Sequence, residues 1–260
     1  MDEITGVVLL IVSVLIGGAL VTLLQNKNQQ KIIKILLALS GGFLIAIAFI
    51  HFIPEIYFHH GDKMGYFILI GFFVQIFLEY FSGGIEHGHI HANNKAGVIP
   101  WGLFISLSIH SIIEGIPLET QFHLNEAVDL HNLTELIEQQ HHHHHHHHGE
   151  GKSGLLLGII LHKFPVAIAL MTLMLASGFS KIKAWIVLFI FSLMSPLGVM
   201  LGHFGAANLI IDLEILFAVV VGMFLHISTT IIFETSDNHR FNAVKLISLL
   251  AGVGMAVISI

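Results

Sequence analysis

Two histidines and a glutamate set in apolar surroundings are the first residues of chemical interest. The stretch Leu107-Ser108-Ile109-His110-Ser111-Ile112-Ile113-Glu114-Gly115-Ile116-Pro117 puts His110 and Glu114 four residues apart. On a helix both would project from one face. A second stretch, Ile159-Ile160-Leu161-His162-Lys163-Phe164-Pro165-Val166, sets His162 beside Lys163. Two imidazoles and a carboxylate form a borderline ligand set. It suits Zn²⁺ and also accepts Fe²⁺, Mn²⁺, Co²⁺ or Cd²⁺. Pro117 and Pro165 have no N–H to give, so the carbonyls of Ile113 and Leu161 are predicted to be released for a ligand or water. The structural alternative is a buried polar network, for instance a Glu114–Lys163 ion pair that only fixes packing. A second histidine and two prolines in the same pattern favour the metal reading. Cysteine is absent, which removes thiolate ligands, a cysteine nucleophile and disulfides.

The elements that must position these residues are membrane helices. Of the 260 residues 55% are hydrophobic and 11% charged, against about 25% charged in soluble domains. Mean hydropathy is +0.84. Apolar runs of about 20 residues cross a bilayer, and eight are predicted: 4–24, 33–53, 65–82, 98–118, 154–176, 184–203, 213–233 and 243–260. The first follows Asp2 and Glu3 rather than a basic region, so it reads as a span and not as a signal peptide. The chain is thus an all-α integral membrane protein, one transmembrane domain over 1–260. Its sizeable loop is 120–152, between the fourth and fifth spans, and no room is left for a separate soluble catalytic domain. A net charge of −6 supplies no basic surface, so the lipid bilayer is a partner and nucleic acid is not.

Lysine and arginine set the orientation. With the N-terminus outside, the inner connections hold Lys27, Lys31, Lys34, Lys95, Lys181, Lys183, Arg240 and Lys245, and the outer ones Lys63 and Lys152. This bias places both termini outside the cytoplasm, in a plasma or inner membrane, and makes 120–152 an extracytoplasmic loop. Gly17, Gly18, Gly41, Gly42, Gly198 and Gly202 read as positions of close helix approach.

Further polar residues mark a possible route for a cation. His51 and Glu55, at the end of the second span, repeat the spacing of His110 and Glu114. His226 lies within the seventh span. With Lys163 these are the candidate pathway residues; interfacial or packing roles are the alternative. His203 reads as interfacial. His87, His89 and His91 alternate in the inner connection between the third and fourth spans. His141, His142, His143, His144, His145, His146, His147 and His148 run consecutively in the outer loop. Low-complexity histidine suits metal capture, and the internal position argues against an expression tag.

The sequence resembles the ZIP (Zrt- and Irt-like protein) family of divalent metal transporters. The resemblance rests on Leu39-Ser40-Gly41-Gly42 and Phe52-Ile53-Pro54-Glu55 in the second span, and Phe67-Ile68-Leu69-Ile70-Gly71-Phe72 through Glu79 in the third. It continues with Ser108-Ile109-His110-Ser111 through Glu114-Gly115, with Leu161-His162-Lys163, and with Gly222-Met223-Phe224-Leu225. It implies inverted repeats of three spans around spans 4 and 5, a homodimer, and alternating access in which spans 1, 4, 5 and 6 move against the others. It implies His110, Glu114 and His162 as metal ligands with Ser111 adjacent. Many members have an acidic or amide residue after the span 5 histidine and a glutamate three further on. Lys163 and Val166 stand there, which points to one metal rather than two. Thr229, Thr230 and Ile231 replace the acidic pattern common in the seventh span.

The expected function is transport of a divalent metal, zinc first, into the cytoplasm, with no enzyme activity and no cofactor besides the transported ion. Two alternatives stand beside it. One is a histidine-rich membrane metal sensor. The other is an intramembrane metal hydrolase, for which a HExxH-type motif is lacking.

Overall fold

In the computed structural model the described residues are 3–24, 29–61, 63–82, 101–119, 152–207, 212–234 and 243–259, and among them every element is helical. Continuous apolar runs of this kind must satisfy their own backbone groups, which a helix does within the segment. The helices are α1 Glu3–Leu24, α2 Gln29–Ile47, α3 Ile53–His60, α4 Met64–Ser82 and α5 Trp101–Gly115. Then come α6 Lys152–Ala176, α7 Lys181–Ser192, α8 Met194–Ala207, α9 Leu213–Glu234 and α10 Ala243–Ser259.

Among the described residues six stretches are long and apolar enough to cross a membrane: Glu3–Leu23, Lys31–Phe58, Met64–Phe81, Gly154–Ala176, Lys181–Gly205 and Leu213–Phe233. The expected fourth and eighth spans also fold as helices, of 15 and 17 residues. At 1.5 Å per residue they are about 22 and 26 Å long. Large apolar side chains such as Phe73, Phe77 and Tyr80 of α4 and Ile182, Ile186 and Phe189 of α7 are exposed on the outside of the bundle. The protein is an integral membrane protein, as its long apolar helices indicate.

The prolines act differently from one another. Before Pro54 the chain widens into a π-helical turn, Ala48–Phe52, that joins α2 to α3. Within it Ile53 N–H donates to Ala48 O, five residues back, the π-helical pattern. Pro196 follows the break at Leu193 that separates α7 from α8. Pro165 sits inside α6, and the helix runs through it. One missing hydrogen bond leaves the neighbouring turns intact. At Pro117 an expectation is corrected: the N–H of Ile116 donates to the carbonyls of both Ile112 and Ile113, each at 3.3 Å. The Ile113 carbonyl is therefore occupied as α5 ends. Gly178, at φ 82°, terminates α6. Phe179 N–H donates to Met174 O and Gly178 N–H to Leu175 O, both at 3.1 Å, a left-handed cap that favours glycine.

The helices pair extensively as α1 with α6, α2 with α10, α4 with α9, and α5 with α8. Paired glycines permit two of these contacts. A Cβ on Gly42 would overlap the Leu249 carbonyl, and one on Gly252 the Leu39 carbonyl. Gly71 and Gly222 likewise lie against the carbonyls of Val219 and Ile68. The pairs assemble into two groups, α1, α5, α6, α7 and α8 on one side and α2, α3, α4, α9 and α10 on the other. They meet where α2 packs on α6 and α4 on α5. One apolar cluster is built around Leu107, Ala167, Leu170 and Phe191, the other around Phe43, Phe52, Ile159 and Phe224.

Candidate metal centre

Helix α5 presents His110, Ser111 and Glu114 to α6. All three are buried, as are His162 and Lys163 of α6. The four-residue spacing does what the periodicity predicts: His110 Nε2 lies 3.0 Å from Glu114 Oε2. The ring of His162 stands edge-on to that of His110, centroids 5.7 Å apart and planes at 78°. The sequence-predicted core residues are therefore brought together.

Lys163 reaches into the same cluster. Its ammonium pairs with Glu114 Oε1, donates to Ser111 Oγ at 2.7 Å, and lies 5.4 Å from the centre of the Phe191 ring. A charged pair so deeply buried needs its remaining donors and acceptors satisfied. Here a hydroxyl and an aromatic face provide that. The contact raised as the structural alternative, Glu114 with Lys163, is thus real. It coexists with the histidine cluster rather than replacing it.

A small-residue contact supplies the floor. Gly115 lies against the Ser195 carbonyl and Gly198 against the Ile112 carbonyl, so α8 approaches α5 closely. Ser195 Oγ then donates to Ser111 O at 2.9 Å and lies 3.1 Å from Ser111 Oγ. The protons run in one direction. Lys163 gives to Ser111 Oγ, Ser111 gives to Ser195 Oγ, and Ser195 gives to the Ser111 carbonyl.

From the other helix group, Gln75 of α4 reaches His110. Its Oε1 is 2.9 Å from His110 Nδ1, and the side chain is wholly buried. Sequence reasoning missed Gln75 and Ser195. A lone amide in Phe72-Phe73-Val74-Gln75-Ile76-Phe77 was the available signal for the first. Ser195, next to Pro196, had none.

Among the described residues no three His, Asp or Glu side chains already surround one point as a metal cage does. A tetrahedral zinc with bonds of about 2.0–2.1 Å holds two ligand atoms about 3.3 Å apart. His110 Nε2 and Glu114 Oε2, at 3.0 Å, are a few tenths of an ångström too close. They are separated as for a shared proton, and Lys163 covers the other carboxylate oxygen.

The pathway candidates lie in separate pairs. His51 Nε2 is 3.4 Å from Glu55 Oε2, both partly exposed, at the π turn and the start of α3. His226 of α9 pairs with Glu79 of α4, with the Phe72 ring edge-on at 5.0 Å and Thr230 Oγ1 3.4 Å from Nε2. His203 is not merely interfacial: its Nδ1 is 3.1 Å from the buried carboxylate of Glu119. His87, His89, His91 and the run His141–His148 lie outside the described residues.

A family model described as ZIP Zinc transporter matches residues 149–259. This stretch includes His162, Lys163, Ser195 and His226; His110, Ser111 and Glu114 precede it. Protein zntD of Dictyostelium discoideum is 27% identical over 196 residues, which cover 69% of this chain and 25% of that protein. The chain thus spans about a quarter of the length of this relative.

Proposed function

From the match of residues 149–259 to the ZIP Zinc transporter family model, we propose that the protein moves divalent metal, zinc first, across the membrane into the cytoplasm. The observation that supports this reading best is the buried cluster of His110, Glu114 and His162. It lies on α5 and α6, with His110 Nε2 3.0 Å from Glu114 Oε2 and the His162 ring edge-on to that of His110. Binding needs neutral imidazoles and an ionised carboxylate. Zinc displaces the proton between His110 and Glu114 and takes the place of the Lys163 ammonium at the carboxylate. The site holds one metal, because Lys163 fills the neighbouring position with positive charge.

Alternating access between two helix groups is the proposed mechanism, and the helix pairing supports an inverted repeat. Exchange α1 with α7–α8, α2 with α9, α4 with α10 and α5 with α6. The α1–α6 pair then becomes the α5 pair with α7–α8, and the α2–α10 pair becomes the α4–α9 pair. The glycines follow the same exchange, Gly42 with Gly222 and Gly71 with Gly252. We propose the orientation set by the basic residues, with both termini outside, and a homodimer.

Zinc uptake into sealed vesicles tests the reading. Glu114→Ala abolishes uptake, and His110→Ala or His162→Ala reduces it severely. Near-normal flux through correctly folded Glu114→Ala protein would refute the site. Metal binding without any flux in the wild type would make the protein a sensor. Release of peptide fragments by the purified protein would make it a hydrolase.

A further inference from the structure

We infer that Gln75 is a positioning residue for His110, selecting the ring nitrogen that meets the metal. The inference rests on the zinc site proposed above. A neutral imidazole has one N–H and one lone pair. For His110 Nε2, the nitrogen facing Glu114 at 3.0 Å, to take a metal, the ring proton must reside on Nδ1. Gln75 Oε1 lies 2.9 Å from Nδ1 and accepts that proton. The reversed amide would donate to Nδ1 instead, force the proton onto Nε2 and block the ligand. Gln75 is fully buried, and His110 is 3% exposed, so no water competes for the contact.

Two features distinguish this partner from a generic packing contact. The first is chemical. Metal-binding histidines are often held by a carboxylate, which raises their basicity and tightens the metal. An amide with its oxygen toward Nδ1, as here, holds the ring from that side without adding negative charge, which suits a site that must also release its ion. The second is positional. His110, Ser111, Glu114, His162, Lys163, Phe191 and Ser195 all belong to the group of α1, α5, α6, α7 and α8, whereas Gln75 belongs to the other group. Its bond to His110 spans the boundary across which alternating access displaces the helices. Movement of α5 along α4 withdraws the acceptor, frees the ring to turn or change tautomer, and weakens the site.

The test uses purified full-length chain and zinc. The zinc concentration giving half-maximal thermal stabilisation measures affinity even in variants that do not transport, and vesicle uptake measures turnover. Gln75→Met, close in shape but without an acceptor, raises that concentration about tenfold, the scale for losing an outer partner of a metal ligand. Gln75→Glu lowers it and slows maximal uptake. In a His110→Ala background, Gln75→Met changes it less than about twofold, because the residue acts through His110. An equal loss in both backgrounds, or weaker binding by Gln75→Glu that folds normally, would show a structural role and overturn the inference. Unchanged affinity in Gln75→Met overturns it as well, while leaving the zinc site standing if His110→Ala still weakens binding. Unchanged affinity in His110→Ala removes the site itself.

Discussion

Replacing Lys163 by methionine is the sharpest perturbation of the proposed centre. The side chain keeps an unbranched apolar stem but loses the ammonium, and with it the cation over the Phe191 ring. In the metal-free protein Lys163 is the cation on Glu114 Oε1 and the donor to Ser111 Oγ. Removing one partner of a buried pair commonly costs about 3–5 kcal/mol, because the other charge is left uncompensated. His110, at 3.0 Å from Glu114 Oε2, offsets part of this by sharing a proton. The metal-free variant is therefore less stable than the wild type. Zinc no longer has to displace an ammonium, and it neutralises the stranded carboxylate. If about 1.4 kcal/mol of the penalty is recovered on binding, affinity rises tenfold. Release is correspondingly slower, so maximal uptake falls. The assay is a zinc titration followed by thermal stability, with uptake measured in parallel. The metal-free melting temperature drops, the zinc-induced upward shift grows, and half-saturation moves down tenfold or more. An affinity unchanged within about twofold would refute the idea that Lys163 is an internal counterion and leave it as a packing residue. Two zinc ions per chain in the wild-type α5–α6 centre would refute it too.

Three other outcomes follow from the same geometry. Gly222→Val puts carbons where the Ile68 carbonyl already sits; it destabilises by about 1–3 kcal/mol or more and lowers the melting temperature, whereas a neutral effect would mean that α4 and α9 are not in close contact. Deleting His141–His148 leaves maximal uptake within about twofold and raises the half-saturation concentration, since a tethered weak chelator works by local concentration; complete loss of uptake by the inserted protein would make the tract obligatory. Acidification from about pH 7 to about pH 5 inhibits uptake, because protons compete with metal for imidazole; uptake rising steadily over that range would mean that proton coupling outweighs ligand protonation.

The sequence disclosed what depends on spacing within one helix. His110 and Glu114 share a face because they are four apart, and among the described residues the apolar runs fold as helices, the second interrupted by the π turn and the sixth at Leu193. Contacts between helices were less legible. Lys163 with Glu114 was foreseeable, because two buried opposite charges seek each other. Gln75 with His110 joins residues 35 apart in sequence through the register of α4 on α5, which no pattern within either helix encodes. Ser195 reaches Ser111 because Gly115 and Gly198 let two backbones touch, a consequence of which glycines pair. The effect of each proline was not legible from its lack of an N–H alone. All lack the N–H, but Pro54 follows a π turn, Pro196 a break, and Pro165 an unbroken run within a helix. Neighbouring contacts decide which of these the chain adopts.

The division of the site between helix groups constrains how a metal could be released. Every proposed ligand, the lysine that competes with the metal and the serines beneath it come from a single group. In a rocking or sliding motion of that group these atoms travel together, so the ligand distances need not change. Release must then come from a change in the site's surroundings. One such change is water reaching a previously buried carboxylate, which weakens its hold by raising the local dielectric. The other is loss of the cross-boundary bond from His110 to Gln75, which removes the constraint on the ring. Lys163 completes the cycle from within the travelling group. In the proposed cycle the ammonium returns to Glu114 as the ion leaves, so the carboxylate is not stranded during the return. A lysine tethered to the moving group can do this without awaiting a proton or a second cation from either side of the membrane.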